Sequence, residues 1–166
     1  MAAVSPVAPP AFRAALARFA TGVTVVTVRD AAGVDHGMTI SAFSSLSLEP
    51  PLVLLCVDQA ATFLPPLRAA TMFGVSVLAE DQQELSTRFA QQGAVRFDGV
   101  ACTHAPEGPA VLDGALVHLV CRRSAEYPGG DHAIIVGEVE RVEVHEGAPL
   151  LYVDRRYARR AEAGAE

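Results

Sequence analysis

Long apolar runs, excess basic charge and a leader-like N-terminus are all missing from this sequence of 166 residues, and each absence excludes a class of protein. The longest apolar stretches, residues 52–57 and 72–79, fall far below the roughly 20 residues that span a bilayer, so no membrane helix is expected. Thirteen Lys and Arg residues stand against 19 Asp and Glu, and the net charge of −6 disfavours nucleic acid as a partner. The first ten residues lack the Lys or Arg that a secretory signal needs, which predicts a cytoplasmic protein.

Metal-binding and common nucleotide-binding motifs are missing too. Cys56, Cys102 and Cys121 form no C-x-x-C pair, so neither a disulfide framework nor a zinc site is predicted. The five histidines show no ligand spacing such as H-x-x-x-H, and no metal is expected. Neither G-x-G-x-x-G nor G-x-x-x-x-G-K-[ST] occurs. A phosphorylated cofactor would therefore depend on hydroxyls, backbone N–H groups and isolated Arg side chains.

The composition predicts one domain over residues 11–157. A chain of this length with 51% apolar residues can bury one substantial core but is too short for two ordinary domains. Residues 1–10 are rich in Ala, Val and Pro, and residues 158–166 are rich in Ala, Arg and Glu without a core face. Both end segments are predicted to be disordered.

Strand patterns dominate this domain. Runs of β-branched and apolar residues bounded by turn residues predict strands at residues 23–29, 36–41, 52–57, 73–78, 116–124, 133–144 and 150–153. The turn residues 30–33 predict a hairpin between the first two. Because these strands do not alternate regularly with helical crossovers, a mainly β barrel is favoured over a doubly wound α/β fold.

A few short helices are predicted beside the strands. Phe12, Leu16 and Phe19 recur at helical spacing within residues 10–20, and this helix is expected to pack on the barrel. A second helix is predicted at residues 63–70, with Thr62 as its N-cap and two prolines in its first turn. A third is predicted at residues 82–91, where Asp81 and Glu84 have capping-box spacing.

Hydroxyl side chains are concentrated between residues 39 and 47, directly after a short predicted strand. Five of these nine residues are Ser or Thr, and the small Ala42 would allow a ligand to approach closely. Such a group of hydroxyls could hold a phosphate. The alternative is a polar loop with Ser and Thr turns.

A Gly-rich turn at residues 129–132 presents Asp131 and His132 at the entrance of an apolar strand. A lone His is more often structural than catalytic. A hydrolase triad of Ser41, His132 and Asp131 is disfavoured, because no G-x-S-x-G elbow exists and an adjacent Asp is expected to be poorly placed to bond the imidazole.

Two segments, GMTISAFSSLSLEPPLV at residues 37–53 and GGDHAIIVGEV at residues 129–139, together resemble the short-chain flavin reductase family. The resemblance extends from about residue 12 to residue 157. It implies an FMN-binding split β-barrel of Greek-key type, in which NADH or NADPH passes a hydride to FMN or FAD. It also implies a homodimer that supplies reduced flavin to a separate flavin-dependent monooxygenase. A non-catalytic flavin carrier with the same barrel is the alternative.

The resemblance assigns cofactor contacts to the hydroxyl-rich segment. Thr39, Ile40 and Ser41 are expected to line the isoalloxazine and the ribityl chain, with backbone N–H groups near flavin N5 and O4. Ser44 and Ser45 are expected to hold the phosphate, and Ala42 completes the predicted set in this segment.

Further cofactor contacts are expected where the next strand ends and the following helix begins, at Cys56, Val57, Asp58, Thr62 and Phe63. Ala60 stands where the family often carries a hydroxyl, which puts one phosphate contact in doubt.

The remaining predicted site residues are isolated charged or aromatic side chains. Arg96 precedes Phe97 where the family carries Lys or Arg, so it could neutralise the flavin phosphate; the alternative is a surface Arg. The resemblance assigns His132 to positioning the nicotinamide and stabilising charge near the flavin, with Asp131 orienting it. Tyr157 is expected beside the nicotinamide pocket, or else as a packing residue that closes the barrel.

Overall fold

Strands dominate the fold that the computed structural model describes for residues 7–91 and 96–161. Twelve strands and three short helices occur within this part of the chain. In chain order they are α1 (Pro9–Leu16), β1 (Thr21–Gly22), β2 (Thr24–Arg29), β3 (Asp35–Ile40), β4 (Phe43–Leu48), β5 (Pro51–Asp58), α2 (Leu64–Ala69), β6 (Met72–Val77), α3 (Gln83–Ala90), β7 (Cys102–His104), β8 (Ala110–Leu112), β9 (Val117–Gly129), β10 (His132–Val144), β11 (Leu151–Val153) and β12 (Arg156–Ala158).

Seven of the strands form one antiparallel sheet in the order β3-β2-β6-β9-β10-β5-β4. The chain passes directly from the β3 edge to the β4 edge through Ser41 and Ala42. There the N–H of Cys56 on β5 donates a hydrogen bond of 2.9 Å to the carbonyl of Ala42, which draws the two edges of the sheet together. The predicted mainly β fold, a split barrel with a few short helices, is confirmed.

Successive side chains along the strands point to opposite faces of the sheet, and the buried ones form two apolar clusters. On β5, Val53, Leu55 and Val57 point into the barrel, where they pack with Phe73 and Ile135. The second cluster lies outside the sheet, beneath α3 and β11, and includes Val23, Val25, Leu78, Phe89, Leu112 and Leu150. Strand β2 contributes to both clusters, which explains why five consecutive residues of it are buried.

The first helix differs from its prediction. It ends at Leu16 and buries none of its residues, although its apolar side was expected to pack on the barrel. Phe12, Leu16 and Phe19 are 58%, 50% and 70% exposed. The expectation was wrong because helical spacing reveals an apolar face but not which surface covers it.

The predicted N-caps are also wrong, although both helices are present. Phe63 precedes α2 and Gln82 precedes α3, and neither position has a side-chain cap. Gln82 instead accepts a hydrogen bond of 3.0 Å from the N–H of Ala79 and donates one of 2.9 Å to the carbonyl of Asp113. Tertiary contacts have replaced the local capping that the sequence pattern indicated.

Several strands were not predicted. Strand β4 occupies most of the hydroxyl-rich segment, which was predicted only as a ligand-binding segment or a polar loop, and it pairs with β5. The short strands β1, β7, β8 and β12 are also additional. Helix α1 and strand β12 extend slightly beyond the predicted domain limits, and residues 1–6 and 162–166 of the predicted disordered ends lie outside the described residues. None of the described helices has the length and apolarity to cross a membrane.

Gly137 on β10 is a position where the barrel core leaves no room for a side chain. An added Cβ would lie 2.3 Å from Cζ of Phe73 and 3.0 Å from Cβ of Cys121. We therefore expect Gly137→Ala to lower the free energy of unfolding by about 1–3 kcal/mol through overpacking. Urea denaturation measures the change. Gly22→Ala is the control, because an added Cβ there meets nothing within 4 Å; equal denaturation midpoints for the two variants would contradict the prediction.

Candidate functional site

A cleft of about 470 Å³ opens between the end of α1, the start of β4, the outer face of β5 and the β11–β12 hairpin. Its walls are mainly apolar. They are formed by Leu16, Ala17, Phe19, Thr21, Ser41, Ala42, Phe43, Ser44, Leu54, Cys56, Tyr152 and Arg155. This volume is typical of pockets that hold small organic ligands or cofactors.

Strand pairing brings His132 to the same sheet face as the floor of the cleft. In the β5–β10 register, His132 lies opposite Asp58 and Ile134 lies opposite Cys56. Residues directly opposite each other in an antiparallel pair point to one face, so His132 and Cys56 share the outer face about 7 Å apart along the strands. Burial raises the pKa of the Cys56 thiol, which keeps this part of the floor neutral.

The wall at Ser41 and Ala42 offers free backbone donors. Among the described residues, none accepts a hydrogen bond from either N–H, although both carbonyls accept one. The hydroxyl of Thr21, which also lines the cleft, is buried and has no partner in the same part of the chain. Because unpaired polar groups beside an apolar cavity are costly, these three groups suit a ligand with polar atoms on one edge.

Arg155 supplies positive charge to the cleft. It follows Asp154 in the turn between β11 and β12, and both residues have positive φ, 60° and 51°. The N–H of Asp154 donates a hydrogen bond of 2.7 Å to the carbonyl of Ala17, and its carboxylate pairs with Arg18 at 3.3 Å, so the hairpin is attached to the end of α1. Arg155 itself forms no ion pair with any described residue. Its guanidinium is therefore available to an anion.

The turn before β10 holds a hydrogen-bonded carboxylate and imidazole at the entrance to this face. Oδ1 of Asp131 lies 2.7 Å from Nδ1 of His132. The expectation that an adjacent Asp would be poorly placed to bond the imidazole was wrong, because this exposed turn, in which Gly130 adopts a φ of 73°, brings the two side chains together. A carboxylate only accepts hydrogen bonds, so the shared proton lies on Nδ1 and Nε2 is left without a partner among the described residues.

The electrostatics of this pair favour an ionised carboxylate. The hydrogen bond and charge of His132 lower the pKa of Asp131, with a smaller contribution from Arg13 on α1. Asp131 therefore stays ionised to a lower pH than an isolated Asp, and the bond persists across the neutral range. The hydrolase alternative is still disfavoured, since the sequence contains no G-x-S-x-G elbow.

Three predicted site residues lie between β3 and α3, away from the lining of the cleft. The hydroxyl of Thr39 donates a hydrogen bond of 2.6 Å to the carbonyl of Ser86, and the guanidinium of Arg96 donates to the carbonyl of Gly37. Burial lowers the pKa of Arg96. The hydroxyl of Tyr157 lies 2.8 Å from that of Ser86. Thr39 and Tyr157 therefore contact α3 at Ser86, whereas Arg96 attaches the segment after α3 to β3. Tyr157 reaches the cleft only through its edge-to-face contact with Tyr152 at 5.3 Å.

Gly37, the first residue of the hydroxyl-rich motif, has a packing role in this same region. An added Cβ would lie 2.8 Å from Cε1 of Phe89 and 3.2 Å from Cζ of Phe97. These rings pack edge to face with their centroids 5.0 Å apart. The motif glycine therefore lets α3 and the segment beginning at Arg96 pack closely on β3.

Other predicted residues are buried or bonded locally. Ile40, Val57 and Phe63 are 4%, 1% and 3% exposed within the barrel core, so only their backbone can face a ligand. Asp58 accepts a hydrogen bond of 2.8 Å from the N–H of Ala60, which closes its own turn. Ser44 lines the cleft, and its hydroxyl donates to the carbonyl of Ser45 at 3.0 Å.

Ser45 and Thr62 are exposed outside the cleft lining. Sequence reasoning missed several cleft residues that come from distant segments: Leu16, Ala17, Phe19, Thr21, Phe43, Leu54, Tyr152 and Arg155. The polar pair Asp154-Arg155 after a short apolar strand was a usable hairpin signal. No local pattern showed that this hairpin would meet α1.

Comparison with known proteins identifies the family. Residues 16–161 match the model of the flavin reductase like domain. The chain belongs to this family. The match includes all twelve residues that line the cleft, from Leu16 to Arg155, and also the Gly-rich turn.

Two curated relatives and one solved structure show how similar the chain is to other proteins. It is 51% identical to the reductase component of 4-hydroxyphenylacetate 3-monooxygenase from Thermus thermophilus, over 90% of this chain and 95% of that protein. It is 46% identical to the actinorhodin polyketide dimerase of Streptomyces coelicolor, over 88% of this chain and 83% of that protein. The structure of the NADH:FAD oxidoreductase SgcE6 of Streptomyces globisporus, in complex with NAD and FAD fragments, superposes with a TM-score of 0.90 at 36% identity, covering 98% and 100% of the two chains.

These similarities confirm the predicted family and the predicted enzyme class, a flavin reductase. The roles assigned to individual residues stay predictions.

Proposed function

We propose that this protein reduces FMN or FAD with NADH and releases the reduced flavin to a separate flavin-dependent monooxygenase. The observation that carries the proposal is the apolar cleft with free N–H groups on one wall and Arg155 at its rim. Two similar proteins support it. SgcE6 is an NADH:FAD oxidoreductase, and the Thermus relative is the reductase component of a monooxygenase. The present chain has the corresponding fold and a cleft of suitable size.

The cleft fits a flavin in its chemistry as well as in its volume. The side chains of Leu16, Leu54 and Cys56 offer apolar surface to an isoalloxazine ring. The N–H groups of Ser41 and Ala42 can donate to the polar edge of that ring, as the family resemblance implies. Arg155 can bind the phosphate through charge-assisted hydrogen bonds. A bound flavin supplies the hydride acceptor, so no protein nucleophile is needed.

His132 and Asp131 act on the hydride donor in this proposal. Asp131 fixes the imidazole through Nδ1, and Nε2 is left to contact the nicotinamide or the flavin edge. His132 therefore orients the donor over the cleft floor and stabilises charge there. It is expected to change the rate of hydride transfer without being absolutely required.

Anaerobic oxidation of NADH and NADPH, with FMN and FAD added in turn, tests the function directly. Rapid loss of flavin absorbance with NADH is the expected result. Tight flavin binding without loss of absorbance would instead support the alternative of a flavin carrier with the same barrel. If the protein neither binds nor bleaches either flavin, the reductase proposal and the carrier alternative are both overturned.

Arg155→Gln tests the proposed phosphate contact. Removing one charge-assisted hydrogen bond should raise the flavin dissociation constant by about tenfold or more. Fluorescence titration with FMN and FAD measures it. Arg156→Gln is a matched control, because Arg156 is the next residue, carries the same charge and does not line the cleft. Equal flavin affinities in the two variants would exclude Arg155 as the phosphate ligand.

His132→Gln separates catalysis from binding. Loss of one oriented hydrogen bond near the donor should lower kcat for flavin reduction by about tenfold, while flavin affinity stays close to that of wild type. Stopped-flow absorbance under anaerobic conditions measures the step. His36→Gln serves as the control, since His36 lies on β3 and pairs with Asp30. A wild-type kcat in His132→Gln would contradict the proposed role of His132 in orienting the hydride donor.

The exposed apolar surface around the cleft supports a homodimer. Phe19 in the cleft wall, Phe12 on α1 and Leu48 at the far end of the edge strand β4 are 70%, 58% and 89% exposed. A second copy of the chain that covers these side chains would also enclose the cleft and exclude water from it. The family resemblance implies the same location for the subunit interface.

Light scattering on a size-exclusion column tests the dimer. The expected mass of the wild-type protein at micromolar concentration is twice the 17.4 kDa of one chain. Phe12→Glu should shift the protein toward monomer, because a charge would be buried at the interface. Val34→Glu should not, since Val34 is 51% exposed in the distant β2–β3 hairpin. A monomeric wild-type protein would contradict the proposal.

A cytoplasmic location completes the proposed function. NADH is a cytoplasmic reductant, and Cys56, Cys102 and Cys121 all carry free thiols, as is usual in a reducing compartment.

A further inference from the structure

We propose that His118, Glu143 and His145 form a binding site for a divalent transition-metal ion, of which Zn²⁺ is the best match. The three residues lie at the end of the β9–β10 ladder that is opposite the Gly-rich turn. Each offers one ligand atom, and the three atoms lie within 4.8 Å of one another. Two imidazole nitrogens and one carboxylate are a donor set that Zn²⁺ binds readily.

The imidazole of His118 is already oriented as a metal ligand. Nε2 lies 2.8 Å from the carbonyl of Leu112, and because a carbonyl only accepts, the proton must lie on Nε2. This leaves the lone pair of Nδ1 free in the neutral ring, and Nδ1 lies 3.8 Å from Oε2 of Glu143. A backbone carbonyl that holds the second ring nitrogen is the usual support for a metal-bound His.

The backbone fixes the other two ligands in place. His118 and Glu143 are direct partners in the register of β9 and β10, so their side chains share one face. The N–H of His145 donates a hydrogen bond of 2.7 Å to the carbonyl of Leu116, and the two histidine rings pack edge to face with centroids 5.1 Å apart.

The geometry needs only small side-chain movements to accept the ion. Tetrahedral coordination with bonds of about 2.1 Å places ligand atoms roughly 3.4 Å apart. The side chain of His118 is 12% exposed and is held by its hydrogen bond to Leu112. The side chain of Glu143 is 55% exposed, and His145 is also exposed. Rotation of the two exposed side chains can close the remaining gap. Three protein ligands leave the fourth position to water.

Arg141 is a cation beside this site, and its charge is largely offset by a neighbouring carboxylate. Arg141 lines the same surface cavity, but its guanidinium donates a hydrogen bond of 2.8 Å to Glu107. The other ionisable group lining the cavity is His104, which pairs with Asp35 at 2.9 Å and also contacts Arg29. The carboxylate of Glu143 thus has no cation paired with it among the described residues except a protonated His118.

The site is separate from the proposed flavin cleft. Residues 132 and 143 lie at opposite ends of β10, eleven positions apart, which is roughly 35 Å along an extended strand. The ion would therefore stabilise the ladder, because it would connect β9, β10 and the segment that follows, and it would take no part in hydride transfer.

Calorimetric titration of tag-free, chelator-treated protein with ZnCl₂ tests the proposal, with MgCl₂ as the comparison. The expected result is saturable binding of one Zn²⁺ per chain at micromolar concentration, no Mg²⁺ binding, and a rise of the thermal midpoint with added Zn²⁺. Glu143→Gln and His145→Gln should each weaken Zn²⁺ binding by about tenfold or more. These exposed positions are chosen because substitution of the largely buried His118 could unfold the protein.

His36→Gln is the matched control, since it removes a half-buried histidine outside the site and should keep the wild-type affinity. Absence of saturable Zn²⁺ binding by the wild-type protein would overturn the proposal and would show that His118 and Glu143 form only a histidine–carboxylate pair. Wild-type affinity in Glu143→Gln and His145→Gln would overturn it as well. Neither result bears on flavin reduction, which the NADH oxidation assay measures independently.

Discussion

Thirteen residues of β9 run antiparallel to thirteen residues of β10, and the rest of the structure depends on this ladder. Strand β10 also pairs with β5, while β9 pairs with β6, so the two strands connect the halves of the seven-stranded sheet. A shift of the register by one residue would move every side chain of the ladder to the opposite face. Ala133 and Ile135 would leave the core, and His132 would leave the cleft side.

The ladder has different chemistry at its two ends. At one end Gly130 allows a sharp turn, and the Asp131–His132 pair stands at the entrance of the cleft face. At the other end the register sets His118 opposite Glu143. One rigid element thus positions two sets of ionisable side chains that no local motif connects. Between them, Gly137 lets the ring of Phe73 fill the barrel against the ladder.

Closure of the sheet creates the cleft and also leaves polar groups beside it without hydrogen-bond partners among the described residues. The chain crosses from β3 to β4 at Ser41 and Ala42, where the two N–H groups have no partner among the described residues. The nearby surface is apolar on α1 and β4, and the Thr21 hydroxyl also lacks a partner within the part of the chain that the structure describes. Folding alone would not favour this arrangement, since unpaired polar groups and exposed apolar side chains both cost free energy. A bound flavin would accept hydrogen bonds from the unpaired N–H groups, and a second copy of the chain would cover the exposed apolar side chains.

The sequence by itself determined the family, the mainly β barrel, most of the strands that carry the core and the two segments that carry the family resemblance. These follow from local information, because alternation along β5 shows which residues are buried and the Gly-rich turn stands next to an apolar strand. Only the tertiary structure decided which side chains meet. Sheet closure directed Thr39 toward α3 and Arg96 toward Gly37 on β3. The contact of Asp154 with Arg18, 136 positions away, brought Arg155 to the cleft. Such contacts depend on the register and closure of the whole sheet, and no pattern confined to a few neighbouring residues can encode them.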